Sequence, residues 1–257
     1  MTTKLEIVES ENSPLPKGFL AHLPEIFDRE GETIYKGRNE IKNFTVDGRT
    51  VCVKKYSIPP FFNRILYSCG LRTCKAKRTY DNAREIARRG FQTPQQWGYI
   101  VARGNGLIAQ SYSVGEFLEG MHTVAQDKTD EKLLRAFAQY TADLHAKGLM
   151  HRDYILNNVL YTRSEDKFIF WLIDINRFRF SDQPVHGLMQ RLNLMQLLHE
   201  LAELERFVRM YQEAAHMPDG LSKQVLFLRR WRTRWSTFKH QFLKKIPGVQ
   251  WLTKHGK

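Results

Sequence analysis

The chain has 257 residues, 42% of them hydrophobic, which is enough to bury a substantial core and too apolar for a disordered tail. Forty Lys and Arg against 27 Asp and Glu leave a formal charge of +13, so the expected partners are anionic: nucleotide, nucleic acid, phospholipid headgroups or phosphorylated saccharide. No apolar run approaches the length of a bilayer span, and the acidic, polar start "MTTKLEIVESENSPLPKGF" reads as no signal peptide.

Residues 1–30 are expected to lie at the periphery of the first part. Two β-rich runs follow, 41–46 and 50–56, around the pair Asp47-Gly48, a strong hairpin signal. Beyond a loop with Pro59 and Pro60, "KAKRTYDNAREIARRG" places Tyr80, Ala83, Ile86 and Ala87 at helical spacing, with Gly90 as the stop. Two more strands are expected at 96–103 and 107–113 around "GNG". Cys52, Cys69 and Cys74 have no metal-ligand spacing and fit a reduced cytosolic setting.

From Asp130 the pattern turns helical. Leu133, Leu134, Phe137, Ala138, Thr141 and Leu144 share one face, with Asp130 as N-cap and Gly148 as the stop. Then come "HRDYILNN", the apolar run "FIFWLID" ending on Asp174, and helices over 188–215 and from Leu221. The boundary falls between a β-rich part, residues 1–118, and a helical part, residues 119–257, an α+β chain.

Phosphoryl transfer asks for a cation on the phosphates, metal ligands, and a carboxylate that orients the attacking hydroxyl. Lys54, on a strand after alternating apolar residues, is a candidate cation, and Lys55 faces the other way. Taken alone Lys54 reads as well as part of a solvated basic edge strand. Asp153 of the His-Arg-Asp triplet is a candidate to orient the hydroxyl, with Asn158 offering an amide oxygen to Mg²⁺; the plain alternative is a turn in which Asp153 caps backbone groups. Asp174, sixteen residues after Asn158, returns beside it if a strand pair intervenes. His151 reads as a buried, hydrogen-bonded support of the loop.

The segment from Leu221 interleaves Trp231, Trp235, Phe238, Phe242 and Leu243 with eight Lys or Arg residues up to 246. It reads either as a helix lying on an anionic membrane surface through residues 221–246, or as a helix packed by its stripe with its basic flank solvated. No recognition motif accompanies the charge, so nucleic acid is not expected as a partner.

In their order, "VKK", a helix, "EFLEG", "HRDYILNN" and "DIN" resemble the protein-kinase-like superfamily. Within it they are similar to the lipopolysaccharide kinases that phosphorylate Kdo or core heptose, over about Tyr35 to Leu198. The resemblance implies a two-lobed fold, with a small antiparallel-sheet lobe carrying one helix and a mainly helical lobe. It also implies ATP and Mg²⁺ as cofactors, Lys54 on the α- and β-phosphates, Asp153 as catalytic Asp, Asn158 and Asp174 as Mg²⁺ ligands, and Glu116, Phe117 and Leu118 as the hinge that reads adenine. The helix acid paired with Lys54 would be Asp81 or Glu85, of which Asp81 is preferred; a related pattern would place the acid at Thr79.

There are departures. No G-x-G-x-x-G precedes Lys54, "DIN" replaces Asp-Phe-Gly, and no Ala-Pro-Glu follows, which argues against a regulated protein kinase. The implied enzyme is a phosphotransferase acting on a sugar hydroxyl of an anionic glycolipid or phosphorylated saccharide, cytoplasmic and peripheral on the inner membrane. The other readings are a Ser/Thr/Tyr protein kinase, a small-molecule kinase, and a nucleotide-binding pseudokinase scaffold.

Overall fold

The structure, a computed structural model, describes residues 3–165 and 167–244, the side chains of 3 and 239–244 excepted. The first half contains β1 (Thr3–Glu9), α1 (Phe19–Ile26), β2 (Glu32–Lys36), β3 (Glu40–Val46), β4 (Arg49–Lys55), α2 (Phe61–Ser68), α3 (Lys75–Arg88), β5 (Gln96–Gly104), β6 (Leu107–Glu116) and β7 (His122–Thr123). The second contains α4 (Glu131–Ala146), β8 (Leu149–His151), β9 (Val159–Ser164), β10 (Lys167–Leu172), β11 (Phe178–Phe180), α5 (Gly187–Leu194), α6 (Leu201–Ala214) and α7 (Leu221–Lys244). These fall into two compact units: one built from 3–127, 151–153 and 157–180, the other from 128–150, 154–156 and 181–244.

The first unit is organised by a six-stranded sheet in the order β1-β5-β6-β4-β3-β2, antiparallel at every pairing. Its two tight hairpins follow from their turn residues. Asp47 and Gly48 take φ of 48° and 73°, Asn105 and Gly106 take 52° and 77°, as a two-residue turn matched to strand twist requires. Alternation along β4 sends Val51 and Val53 into a core cluster with Leu20, Leu23 and Phe27 and turns Cys52 and Lys54 to the opposite face. On that face α2 and α3 bury a second cluster around Tyr56, Tyr67, Tyr80 and Tyr99. A three-stranded sheet, β10-β9-β7, completes the unit.

Within residues 3–30, β1 and α1 join the first unit's sheet and core. β1 pairs with β5 from Thr3 opposite Gly104 to Glu9 opposite Gly98, and Leu20, Leu23 and Phe27 are fully buried in the sheet core. The segment after Pro59 and Pro60, expected as loop, contains α2.

The second unit is helical. Asp130 Oδ1 accepts from the amides of Lys132 and Leu133 at 2.8 and 3.1 Å, capping α4. The expected apolar face is buried from Leu133 to Leu144, and Phe137 meets Phe207 of α6 at 5.4 Å between ring centroids. The helical stretch expected over 188–215 breaks into α5 and α6. α7 buries Leu221, Val225 and Leu226, yet every side chain from 231 to 238 is exposed. Its aromatic stripe stacks on itself, Trp231 on Trp235 at 6.2 Å and Trp235 on Phe238 at 6.0 Å. The side chains of Phe242 and Leu243, and residues 245–246, lie outside the described residues.

Candidate active site

The first unit alone brings Lys54, Asp153, Asn158 and Asp174 together. Lys54 Nζ lies 2.7 Å from Asp174 Oδ1, across 120 residues of sequence. Burial pulls the Lys54 ammonium down, but the Tyr56 oxygen and the Asp174 carboxylate outweigh it and hold the group above its ordinary value. Asp174 mirrors this: burial pushes its carboxyl up, and Lys54 outweighs the push and keeps it below the usual range. The pair is therefore charged at neutral pH.

Asp174 sits in the left-handed region, φ 52° and ψ 43°, a conformation that short polar side chains tolerate and that recurs at functional sites. Asn176 holds it there: its Nδ2 donates to Asp174 Oδ1 at 2.7 Å, and the side chain is buried. From α3, Asn82 Nδ2 donates to the Ile175 carbonyl at 2.7 Å.

β9 and β10 return the chain from Asn158 to Asp174, Val159 standing opposite Leu172, and the Ile173 amide donates to the Asn158 carbonyl at 3.0 Å. Asn158 Nδ2 donates to the Asp153 carbonyl at 2.8 Å, which commits the amide nitrogen and leaves Oδ1 as the atom for a cation. His151 joins the two loops. Its Nδ1 accepts from the Asp153 amide at 3.1 Å, so Nε2 carries the proton and donates to the Ile173 carbonyl at 2.9 Å. Burial lowers its pKa and keeps the ring neutral.

Asp153 is gripped by Arg177, whose Nη1 reaches Oδ1 at 2.7 Å and Oδ2 at 3.0 Å. Beside them Arg152 feels Arg179 first, then burial and Arg177, and its pKa is lowered.

A cavity of about 690 Å³ opens over Lys54, within the range of small-molecule and cofactor sites. Ile34, Ile41, Leu160 and Ile173 supply apolar walls, and Glu116, Phe117 and Leu118 form one margin, with Asn158 and Asp174 at another. The Glu116 amide is committed to the Gln95 carbonyl at 2.8 Å. A Cβ at Gly115 would run into that same Gln95 carbonyl, so only glycine fits the strand there. Arg38 lines the cavity, and Lys75, at the start of α3, is lowered by burial first and then by Arg38, Lys54 and Arg78. This cationic group stands in a chain that lacks a glycine-rich phosphate loop.

Asp81 is not brought to Lys54: among the described residues it pairs with Lys77 at 3.2 Å. Glu85 is taken by Arg88 and Arg89 at 2.7 and 2.6 Å, and these hydrogen bonds hold its carboxyl down at about 2. The α3 residue that does face the cavity is Thr79, bonded to Tyr56 Oη at 2.7 Å, with Lys54 Nζ 5.5 Å from the Tyr56 ring. Asp174 thus supplies the carboxylate that a helix acid was expected to give. Tyr56, Asn176 and Arg177 were not singled out from sequence; only the Asn and Arg directly after Asp174 offered a signal.

The arrangement offers a buried ammonium beside a carboxylate and an amide oxygen at the cavity, and a second carboxylate, Asp153, held by Arg177. Among the described residues no cluster of three or more His, Cys, Asp or Glu side chains could hold a metal by itself. The Asp174 carboxylate and the Asn158 amide oxygen are hard oxygen donors of the kind Mg²⁺ takes, through one or two carboxylates plus substrate phosphates.

Comparison with solved structures places the chain near WaaP in complex with acyl carrier protein, at a TM-score of 0.56 and 19% identity, covering 92% of this chain and 98% of that one. The Rio2 kinase–ADP/Mg²⁺–phosphoaspartate complex from Chaetomium thermophilum matches at 0.48 and 15% identity, over 86% and 70%. None of the curated protein sequences matches the chain. The WaaP likeness establishes a protein-kinase-like fold for the mixed α and β elements described above. Residues 29–214 match the lipopolysaccharide kinase (Kdo/WaaP) family, a span that takes in Lys54, Asp153, Asn158 and Asp174. The chain belongs to the lipopolysaccharide kinase (Kdo/WaaP) family and is a phosphotransferase.

Proposed function

We propose that the chain transfers the γ-phosphoryl group of ATP, with Mg²⁺, to a sugar hydroxyl of a lipopolysaccharide precursor, on Kdo or a core heptose. The observation that carries this reading is the convergence of Lys54, Asn158 and Asp174 on one cavity, with Asp153 bonded through its carbonyl to Asn158. Lys54 binds the α- and β-phosphates, joined by Arg38 and Lys75 in place of a glycine-rich loop. Glu116, Phe117 and Leu118 hold the base between apolar walls. Asn158 and Asp174 hold Mg²⁺, which when bound neutralises charge on the phosphates. Asp153 orients the acceptor hydroxyl and takes its proton, a role worth about 10² to 10⁴ in rate.

Residues 1–118 are assigned to nucleotide binding, and 119–257 to the catalytic loop and the acceptor side. The exposed stripe of α7 supports the reading of a helix for an anionic membrane surface, since Trp231, Trp235 and Phe238 are not spent on packing in a core. No helix among the described residues is long and apolar enough to cross a membrane, so such contact would be peripheral.

The test is phosphate incorporation from Mg-ATP into Kdo-containing lipid A and into a heptose-extended acceptor, comparing the native chain with Asp153→Ala. Incorporation by the native chain alone supports the mechanism, and the favoured acceptor identifies the sugar. Equal incorporation by both proteins sinks it; activity on a peptide and on neither glycolipid sinks the acceptor.

A further inference from the structure

A surface helix of a globular chain ordinarily turns its apolar side inward. α2 does the reverse. Its ties to the sheet are largely polar: Arg64 Nε donates to the Ile108 carbonyl at 2.6 Å, and Ser68 Oγ accepts from the Ile108 amide at 2.9 Å. Tyr67 alone among its residues is buried. Phe61 and Phe62 stand 64% and 81% exposed, and Leu71 just beyond the helix 79%. Ile58, Ile65 and Leu66 extend the same exposed run. Apolar exposure gathered this densely marks an interaction surface.

The segment's own charge has one sign. From Ile58 to Arg72 the charged residues are Arg64 and Arg72, with no Asp or Glu, and the Arg72 guanidinium lies over the Tyr67 ring; Arg103, bonded to the Ser68 carbonyl, is paired with Glu6. An apolar face rimmed by cations is the pattern of a helix lying in the headgroup region of an anionic bilayer, where apolar insertion and attraction to lipid charge act together. We propose that α2 and the turn after it, from Ile58 to Arg72, dock the first unit on an anionic lipid surface, with Phe61, Phe62 and Leu71 entering the acyl boundary. This contact is separate from α7 and independent of which sugar accepts the phosphate.

The experiment is flotation of the full chain with vesicles of phosphatidylcholine alone or mixed with phosphatidylglycerol. Three proteins are compared: native, Phe62→Ser/Leu71→Ser, and Trp231→Ser/Trp235→Ser. The two α2 positions are the most exposed of the patch, and matching thermal unfolding of variant and native chain shows that the fold is kept. The expected result is binding of the native chain to the anionic vesicles, weakened at least about tenfold in the α2 variant given the apolar area withdrawn, and persisting in part in the α7 variant. Undiminished binding by the α2 variant overturns the proposal, as does equal binding to neutral vesicles. A native dimer that the α2 variant converts to monomer, with vesicle binding unchanged, also overturns it and makes the patch a contact between copies of the chain.

Discussion

At the scale of single residues, the site depends on side chains that hold other side chains. Asn176 bonds the same Asp174 oxygen that Lys54 pairs with. Asp174→Asn removes the charge and is expected to lower transfer by about three orders of magnitude or more, as loss of a transition-state interaction does. Asn176→Ala leaves the charge and loosens its aim, with an expected loss of about tenfold; steady-state kinetics with saturating ATP separate the two. Arg177→Met frees Asp153 from its clamp and should lower kcat by about tenfold while leaving KM for ATP within about twofold, because Arg177 does not line the cavity proposed for ATP. A larger rise in KM for ATP than fall in kcat would refute that assignment. That Lys54, Asp153, Asn158 and Asp174 would be brought together was legible in the sequence because their order and spacing follow a familiar chemistry. Tyr56 and Arg177 were not, because their partners are fixed only by folding: Thr79 lies 23 residues from Tyr56, and Asp153 24 from Arg177; Asn176, two residues from its partner Asp174, was a local signal left unread.

At the scale of elements, the hairpins, α3 and the N-cap of α4 were legible because the signals are local: an Asp-Gly pair, a helical period, a capping Asp. β1 and α2 were not. The pairing of β1 is with a strand almost a hundred residues later, and α2 exposes the face that a periodicity argument buries. The same distinction between local and tertiary demands separates two glycines. Gly48 and Gly148 both have φ of 73°, so alanine costs each about 1 kcal/mol in backbone conformation. A Cβ at Gly48 meets nothing within 4 Å, whereas at Gly148 it runs into the Ser181 carbonyl. Urea unfolding should therefore show Gly48→Ala destabilised by about 1 kcal/mol and Gly148→Ala by more than twice that. Asp130→Ala, losing two capping bonds, should cost about 1 kcal/mol.

At the scale of the whole molecule, buried histidines tie stability to pH. His145 is enclosed by Tyr211 and Asn193 at 2.9 Å each, and burial lowers its pKa from 6.5 to about 4; His151 is lowered for the same reason. A folded-state pKa below the unfolded one means that the unfolded chain binds more protons in between. Stability is then full above pH 6.5 and falls as the pH drops toward 4. The His145 contribution is roughly 3 kcal/mol at its limit. Tm should decline between pH 7 and pH 5, and His145→Gln, which keeps hydrogen-bonding capacity without the titration, should flatten that decline at some cost in Tm at pH 7. The Lys54–Asp174 pair adds a separate loss below the ordinary carboxylate range, where Asp174 at last takes up a proton.

The Thr79–Tyr56 bond bears on control. In protein kinases, the pair between the strand lysine and a helix glutamate can be made or broken by moving that helix, which gives regulators a handle. Here the lysine takes its carboxylate from the Asp174 loop, and the helix presents a hydroxyl already committed to a tyrosine. Swinging α3 outward would therefore break no lysine–carboxylate pair. On the proposed mechanism α3 reaches that pair only indirectly, through Asn82, which bonds the Ile175 carbonyl beside Asp174.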